Sequence, residues 1–163
     1  MKLNLGSCNR NIPGFTSVDI APPADVIADL SQPWPWSDDS VDEVRAYQVF
    51  EHLPNSIHTM NELWRVCRNG ARVEIEVPSA SHGAGAFQDP THKSFWTINS
   101  FQYFEAGAAA RERFGMHYGI NARFKVVSLN ERKGRGETRE DAFIVCARLE
   151  AVKISGGAKA YQC

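Results

Sequence analysis

Several features that would assign this sequence of 163 residues to a specialised class are missing. It has four cysteines and no CxxC pair, so neither a zinc knuckle nor a thioredoxin-type redox motif is predicted. No apolar run approaches the roughly 18 residues needed to cross a bilayer. The formal net charge of −1 excludes an overall basic field that would attract nucleic acid or an anionic membrane. We therefore expect a reduced, cytoplasmic protein with no membrane partner and no nucleic-acid partner indicated.

What remains is the composition of one folded domain. Hydrophobic residues make up 43% of the chain and charged residues 23%, which is ordinary for a globular protein with a single core. We predict one domain over residues 1–153 and a flexible tail over 154–163, where the periodicity is lost. The first strand is expected at residue 2 or 3, which would leave no room for a signal peptide. The charged segment 130–140 is predicted to be a solvated hairpin loop.

The order of the apolar runs predicts an α/β fold. Strands are expected within 2–5, 16–20, 25–30, 41–47 and 71–78, followed by two closing strands within 122–132 and 140–153. Strict alternation in 71–78 places Glu74 and Glu76 on one face, which indicates that this face is less fully covered. Strands that alternate with helices favour a mostly parallel sheet, and the last two strands favour an antiparallel hairpin at its C-terminal edge.

Three other segments are distinctive. Part of a second helix is predicted within 98–114. The first helix is predicted over residues 54–70, because start signals stand at its beginning, at Pro54, Asn55 and Ser56, and Gly70 lies just past its end. Its apolar face would contain the residues that recur at helical spacing, namely Ile57, Met60, Leu63, Trp64 and Cys67. The irregular stretch 79–97 is long for a compact domain, so we expect a functional loop that serves as a lid or as a wall of the substrate site.

Polar and ionisable residues collect where the predicted strands end. Parallel strands present their carboxyl ends at one edge of a sheet, which is where open α/β sheets bind ligands. In chain order these residues are Gly6, Ser7, Cys8, Asp19, Asp29, Glu51, His52, Ser79, Ser81, His82, Asp89 and His92. Their distribution predicts a binding site at this edge.

An ordered series of motifs resembles the class I S-adenosylmethionine-dependent methyltransferases over about residues 2–104. The motifs are LNLGS, GFTSVDI, DVIADLSQPWPWSDDSVDEV, YQVFEHL, ELWRVCRNGARVEIEVP and DPTHKSFWT. They are most similar to small bacterial and phage members with a truncated first crossover. The resemblance implies a three-layer Rossmann-like sheet, S-adenosyl-L-methionine as the cofactor, and transfer of a methyl group to an oxygen or nitrogen of a small-molecule or polymeric acceptor.

The resemblance also implies cofactor-binding roles at the first strand ends. Gly6 would let the backbone approach the ligand closely, and N–H groups of the following loop, with Ser7 and Cys8, would meet the methionine carboxylate. Asp19 would accept hydrogen bonds from both ribose hydroxyls, although it could instead only form the turn before the next segment. These roles match the two polar parts of the cofactor, because Asp19 would accept from the ribose diol and the N–H groups of the loop would donate to the zwitterionic end.

The adenine end of the cofactor would fall on the third strand end. Asp29 would contact the adenine amino group and Leu30 would pack on the ring, while the alternative for Asp29 is an Asx turn before the next segment. Trp34 and Trp36 could lie against the adenine or simply cover an edge of the core.

The sequence departs from the family in its glycine-rich loop. Cys8 and Arg10 stand where the family has its second and third glycines. Only the loop 6–15 separates the first two strands, so no full helix fits and a helix N-terminus is lost near the anionic end of the ligand. We expect Arg10 to compensate by pairing with the methionine carboxylate.

Three residues are predicted to be catalytic. Glu51 and His52 follow the fourth strand, and His52 or His92 could accept a proton from the acceptor, with Asp89 orienting His92. The alternative is that Glu51 and His52 only brace a loop. We expect no metal site, because the spacings of His52, His82, His92 and Asp89 match no compact ligand motif.

Two functions of different classes are compatible with these features. The acidic positions favour a methyltransferase, whereas the altered glycine loop favours a non-catalytic module that binds a nucleoside or a partner through the same fold. The insertions are short, so we expect either a small acceptor or a partner protein that completes the site.

Overall fold

The computed structural model describes residues 1–134 and 142–153, so the predicted tail over 154–163 and part of the charged loop lie outside the described residues. The strands are β1 Lys2–Leu5, β2 Thr16–Asp19, β3 Val26–Ile27, β4 Val41–Tyr47, β5 Cys67–Pro78, β6 Phe124–Lys133 and β7 Phe143–Ala151. The helices are α1 Ser56–Val66, α2 Gly85–Gln88 and α3 Ala109–Phe114, with 3₁₀ turns at Phe50–His52 and Ile98–Tyr103. In this part of the chain no helix has both the length and the hydropathy needed to cross a membrane.

The strands form one seven-stranded sheet in the order β3-β2-β1-β4-β5-β7-β6. β1 to β5 pair in parallel, and β7 runs antiparallel between β5 and β6. The predicted α/β class, the mostly parallel sheet and the C-terminal edge hairpin are therefore confirmed. β1 pairs with both β2 and β4, so the strand order reverses there and the crevice for a ligand opens beyond the carboxyl ends of these strands.

The two faces of the sheet differ in polarity, as the alternation in β5 predicts. One face carries buried apolar residues such as Leu5, Val44 and Ile75, and it shares a single core with Met60 and Leu63 of α1. Complete burial of each such side chain contributes about 1.5–3 kcal/mol to stability. The opposite face carries the row Arg45, Glu74 and Arg148, which are paired across neighbouring strands and joined by ion pairs.

The first crossover contains no helix, as the sequence predicts. The loop 6–15 packs over the polar face instead, where the guanidinium of Arg45 lies 4.5 Å from the centre of the Phe15 ring. The side-chain amide of Asn4 donates to the carbonyl of Arg10 at 2.8 Å. The polar face of the sheet is therefore covered at this point by the short loop 6–15, and not by a helix.

The prediction for the end of α1 is wrong by a few residues. The Asn55 side chain caps the helix by accepting from His58 N at 2.9 Å, but the helix ends at Val66 instead of near Gly70. The reason is that Cys67 already belongs to β5 and pairs with Val41. Cys67 is buried as predicted, but as a strand residue.

Candidate functional site

A cavity of about 640 Å³ opens beyond the carboxyl ends of β1 to β4. This rim cavity is lined by six of the residues predicted to form the site, namely Gly6, Cys8, Asp19, Asp29, Leu30 and His52. The other lining residues are Asn9, Ile20, Ala21, Pro22, Pro23, Ala28, Ser31, Gln48, Val49, Leu53, Pro54 and Lys93. Its volume lies within the range of about 300–1,000 Å³ that is typical of small-molecule sites.

Gly6 sits at the point where the end of β1 meets the chain that follows β4. Its φ is +62°, and a Cβ at this position would lie 2.6 Å from Cβ of Val49. Both the left-handed backbone and the close approach of Val49 therefore require glycine. The neighbour that Gly6 approaches is therefore Val49 of the chain itself, and the close approach to a ligand that the sequence predicts stays a prediction.

The loop after Gly6 forms a tight turn without further glycines. The Arg10 amide donates to the carbonyl of Ser7 at 2.7 Å, and the two central residues, Cys8 and Asn9, have φ of +41° and +65°. This is the type I′ pattern, which glycine and asparagine adopt most readily. Cys8 thus takes a backbone conformation that glycine adopts more readily than cysteine.

Ser7 and Arg10 do not line the cavity. Ser7 is 1% exposed, its amide donates to the carbonyl of Val18, and its hydroxyl has no partner among the described residues. Arg10 is exposed, and its backbone rather than its guanidinium organises the turn. The ligand contacts predicted for these two side chains stay predictions.

Asp19 is held in place by the backbone on both of its oxygens. Oδ2 accepts from the Cys8 amide at 2.9 Å and Oδ1 accepts from the Ile20 amide at 2.8 Å. A carboxylate can accept about four hydrogen bonds, so two positions remain for a ligand. The Cys8 amide, which the sequence assigns to a ligand carboxylate, is occupied by Asp19 instead.

Asp29 forms the Asx turn and lines the cavity as well, so the two alternatives for this residue coexist. Its Oδ1 accepts from the hydroxyl of Ser31 at 2.7 Å and from the Ser31 amide at 2.9 Å. These hydrogen bonds, the hydroxyl first, hold the pKa of Asp29 below its usual range. Leu30 lies beside it, while Trp34 is 3% exposed within the core and does not line the cavity.

Glu51, His52 and His92 form a second group, here called the rim cluster. One ligating atom from each residue lies within 4.8 Å of the other two, and the imidazole centres of His52 and His92 are 5.0 Å apart. The backbone joins them, because the carbonyl of Glu51 accepts from the amides of Lys93 at 2.7 Å and Ser94 at 3.0 Å. The structure therefore brings together the three residues predicted to be catalytic.

Burial distinguishes the members of the rim cluster. Glu51 is 2% exposed, and its Oε2 has no hydrogen-bond partner within residues 1–134 and 142–153. This burial raises the pKa of Glu51 to about 7. Only His52 lines the cavity, so Glu51 and His92 lie behind it.

The loop 79–97 is pinned at both of its ends. Ser79 bridges to Trp96, and the Ala80 amide donates to the carbonyl of Trp96 at 2.8 Å. The hydroxyl of Ser79 donates to Oε1 of Glu131 at 2.6 Å, while His82 contacts Oε2 of the same carboxylate. His82 is therefore held by Glu131 and is separate from the rim cluster. Whether the loop opens as a lid stays a prediction.

Sequence reasoning missed Gln48 and Lys93 in the cavity wall. Gln48 has a φ of +57°, and its amide donates to the carbonyl of Glu76 in β5. Because this partner is distant in sequence, no local pattern indicates the conformation of Gln48. Lys93 directly follows His92 in the predicted functional loop, so its position next to a candidate site residue was the available signal.

Comparison with known proteins gives a family match over part of the chain. Residues 10–75 match the family model described as a methyltransferase domain. No curated protein sequence matches the chain.

Solved structures with the same fold include three methyltransferase structures. An S-adenosylmethionine-dependent methyltransferase of Methanosarcina mazei has a TM-score of 0.61 at 11% identity, covering 93% of this chain and 92% of its own. The complex of the Haloferax volcanii Trm112 methyltransferase activator with a methyltransferase gives 0.61 at 14% identity, covering 93% and 82%. The Burkholderia thailandensis 1,6-didemethyltoxoflavin-N1-methyltransferase, with bound S-adenosylhomocysteine, gives 0.58 at 11% identity, covering 93% and 71%. These similarities show that the chain has the class I methyltransferase fold.

Proposed function

We propose that this chain, which carries a methyltransferase domain in the class I fold, binds S-adenosyl-L-methionine in the rim cavity and transfers its methyl group to an oxygen or nitrogen of an acceptor. The observation that carries the proposal is that Gly6, Asp19 and Asp29, from three successive strand ends, line one cavity. When bound, the cofactor supplies an electrophilic methyl group on its sulfonium. The protein then has to bind, orient and shield the two reactants.

The residues present fit such a ligand. Asp19 is oriented by two backbone donors and keeps acceptor capacity for a ribose diol. Asp29 and Leu30 lie along the same wall and would hold the adenine. Cys8 would lie near the methionine end, where we propose that Arg10 turns inward to pair with the carboxylate.

The acceptor would lie beside the rim cluster. His52 is the one predicted catalytic residue that lines the cavity, and Lys93 lines the cavity as well. Glu51 and His92 support His52 from behind through the shared backbone ties. We propose that this end of the cavity binds the acceptor, which is a small molecule unless a partner protein extends the wall.

We propose the loop 79–97 as the place where a partner protein would bind. Phe87 and Phe95 are 61% and 50% exposed there, and their rings stack with centres 4.8 Å apart. One neighbour in fold is a methyltransferase in complex with an activator protein. We also propose a cytoplasmic setting, because the described cysteines Cys8, Cys67 and Cys146 are all unpaired thiols.

Calorimetric titration tests the proposal directly. S-adenosylmethionine and S-adenosylhomocysteine should each bind one site per chain, whereas ATP, which has an adenosine but no sulfur or amino-acid end, should bind at least about tenfold more weakly. Absence of binding at millimolar ligand would contradict the cofactor assignment. Binding without methyl transfer to any of a panel of hydroxyl and amine acceptors would support the non-catalytic module instead.

A further inference from the structure

We propose that Glu51, His52 and His92 bind one divalent transition-metal ion, of the kind represented by zinc, beside the rim cavity. Two imidazoles and one carboxylate are a donor set that such ions take, with further positions left open for water or a substrate. The sequence spacing predicts no metal, because His52 and His92 are brought together with Glu51 only by the fold. His82 lies outside this group, and Oδ2 of Asp89 lies 3.9 Å from Nε2 of His92, at the edge of the group. The fold creates this juxtaposition by laying residue 92 against the turn that follows β4.

The hydrogen bonds around His52 leave one of its ring nitrogens available. Thr91 Oγ1 lies 2.6 Å from Oδ1 of Asp89 and 3.1 Å from Nδ1 of His52. Because a carboxylate only accepts, the single hydroxyl hydrogen of Thr91 goes to Asp89, and Nδ1 of His52 must donate to Thr91. A neutral His52 therefore keeps its lone pair on Nε2.

His92 is arranged in the same way. Its Nδ1 lies 2.7 Å from the carbonyl oxygen of Ala86, which can only accept, so Nδ1 carries the hydrogen and Nε2 carries the lone pair. Metal-binding histidines almost always donate their second ring N–H to a carbonyl or to a carboxylate network. Both histidines of the rim cluster show this outer arrangement.

Glu51 supplies an independent observation. Its side chain is 2% exposed, and Oε2 has no partner in the described parts of the chain. An unpaired buried carboxyl oxygen is costly, and a cation beside it would satisfy it. A carboxylate oxygen of Glu51 lies within 4.8 Å of a ring nitrogen of each histidine, so a metal ion held by this group would give the buried carboxylate a partner that the described residues do not provide.

The spacing is compatible with coordination after a small adjustment. Ligands at 2.0–2.1 Å from a tetrahedral ion lie about 3.4 Å apart, compared with separations of up to 4.8 Å here. Side-chain rotation closes this gap while the backbone ties between residue 51 and residues 93 and 94 stay in place. If the proposed function holds, the open position of the ion would take an oxygen of the acceptor, but metal binding itself does not depend on that function.

Titration of the chelator-stripped full chain with Co²⁺, followed by visible absorption and by competition with Zn²⁺, tests the site. The wild type should bind one equivalent with the absorption of a four- or five-coordinate ion. His52→Ala and His92→Ala should each weaken binding by at least about 100-fold, and Thr91→Val by about 10–100-fold through loss of an outer contact. Glu51→Gln, which keeps the shape of the side chain, should also weaken it strongly.

His82→Ala is the matched control, because this histidine also contacts a carboxylate but its side chain is 60% exposed and lies outside the cluster. It should bind Co²⁺ like the wild type, and circular dichroism should show that all variants are folded. Equal Co²⁺ affinity in wild type, His52→Ala and Glu51→Gln, or a loss only in His82→Ala, would overturn the proposal. S-adenosylhomocysteine is titrated separately with chelator present, so that failure of the metal site and failure of the cofactor assignment give different results.

Discussion

The two sides of the rim cavity differ in how completely their polar groups are paired. On the nucleoside side, Asp19 and Asp29 each accept two hydrogen bonds from the protein. Behind His52 on the other side, Glu51 is almost fully buried, and one of its carboxyl oxygens has no partner among the described residues. A solvent-accessible carboxylate that accepts hydrogen bonds from the protein has a fixed orientation and can still accept more, whereas a buried carboxyl oxygen without a partner needs one. We infer that the first side is organised before a ligand binds and that the second is completed by one.

The largest expected effect is a loss of stability at Gly6, where the end of β1 meets the chain that follows β4. Gly6→Ala should lower the free energy of unfolding by about 3 kcal/mol, because the new Cβ meets Val49 at 2.6 Å in addition to the strain of a positive φ. Gly14→Ala is the control, since Gly14 has φ of +79° but no atom within 4 Å of the added Cβ. It should cost only about 1 kcal/mol. Equal losses in urea denaturation would show that the contact with Val49 is unimportant.

Ligand affinity should separate the two sides. Asp19→Asn should weaken S-adenosylhomocysteine binding by about 10–100-fold, since a hydrogen bond to a charged group contributes about 1.5–3 kcal/mol. His52→Ala, on the other side, should leave the affinity within about threefold, because that side is assigned to the acceptor. Calorimetry measures both. If His52→Ala causes the larger loss, the assignment of the two sides is reversed.

Chemical protection should map the nucleoside side without any mutation. Cys8 is exposed and lines the cavity, whereas Cys146 is only partly buried and lies elsewhere, on β7. At a ligand concentration ten times the Kd, only about one chain in eleven is free, so S-adenosylhomocysteine should slow alkylation of Cys8 about tenfold. Mass spectrometry of the two peptides gives both rates. The ligand should leave the rate at Cys146 unchanged, and an unprotected Cys8 would place the ligand elsewhere.

The smallest expected effect is a gain of stability in the loop 6–15, where Cys8 replaces a glycine of the family pattern. Cys8→Gly should stabilise the fold by about 0.5 kcal/mol, since relief of the left-handed strain of about 1–2 kcal/mol is partly offset by the greater chain entropy of glycine. Thermal unfolding of the variant beside wild type measures this difference. A lower melting temperature would mean that contacts of the Cys8 side chain outweigh the strain.

The parts of the fold that follow from local patterns could be predicted from the sequence. Alternation identified the two faces of β5, and the apolar spacing with the Asn55 cap identified α1. The end of α1 could not be predicted, because the pairing of Cys67 with Val41 is a tertiary interaction that overrides the local helix signal. The segment 98–114, where part of a second helix is predicted, is interrupted for a local reason, since Gly107 takes a φ of +82° between a 3₁₀ turn and α3.

The candidate site was predictable where the topology alone decides position. Asp19 and Asp29 follow parallel strands, so their convergence on one edge follows from the sheet order. The exact partners were not predictable, because the Cys8 amide is used by Asp19 and the Arg10 side chain does not line the cavity. The rim cluster depends on hydrogen bonds between residue 51 and residues 93 and 94, which are far apart in sequence and leave no local signal.

A crystal structure of the chain with S-adenosylhomocysteine tests the central claim most directly. We predict that both ribose hydroxyls donate to the carboxylate of Asp19, with the adenine beside Leu30 and the sulfur on the side of His52. A ligand bound outside the rim cavity, or a ribose with no contact to Asp19, would contradict the account.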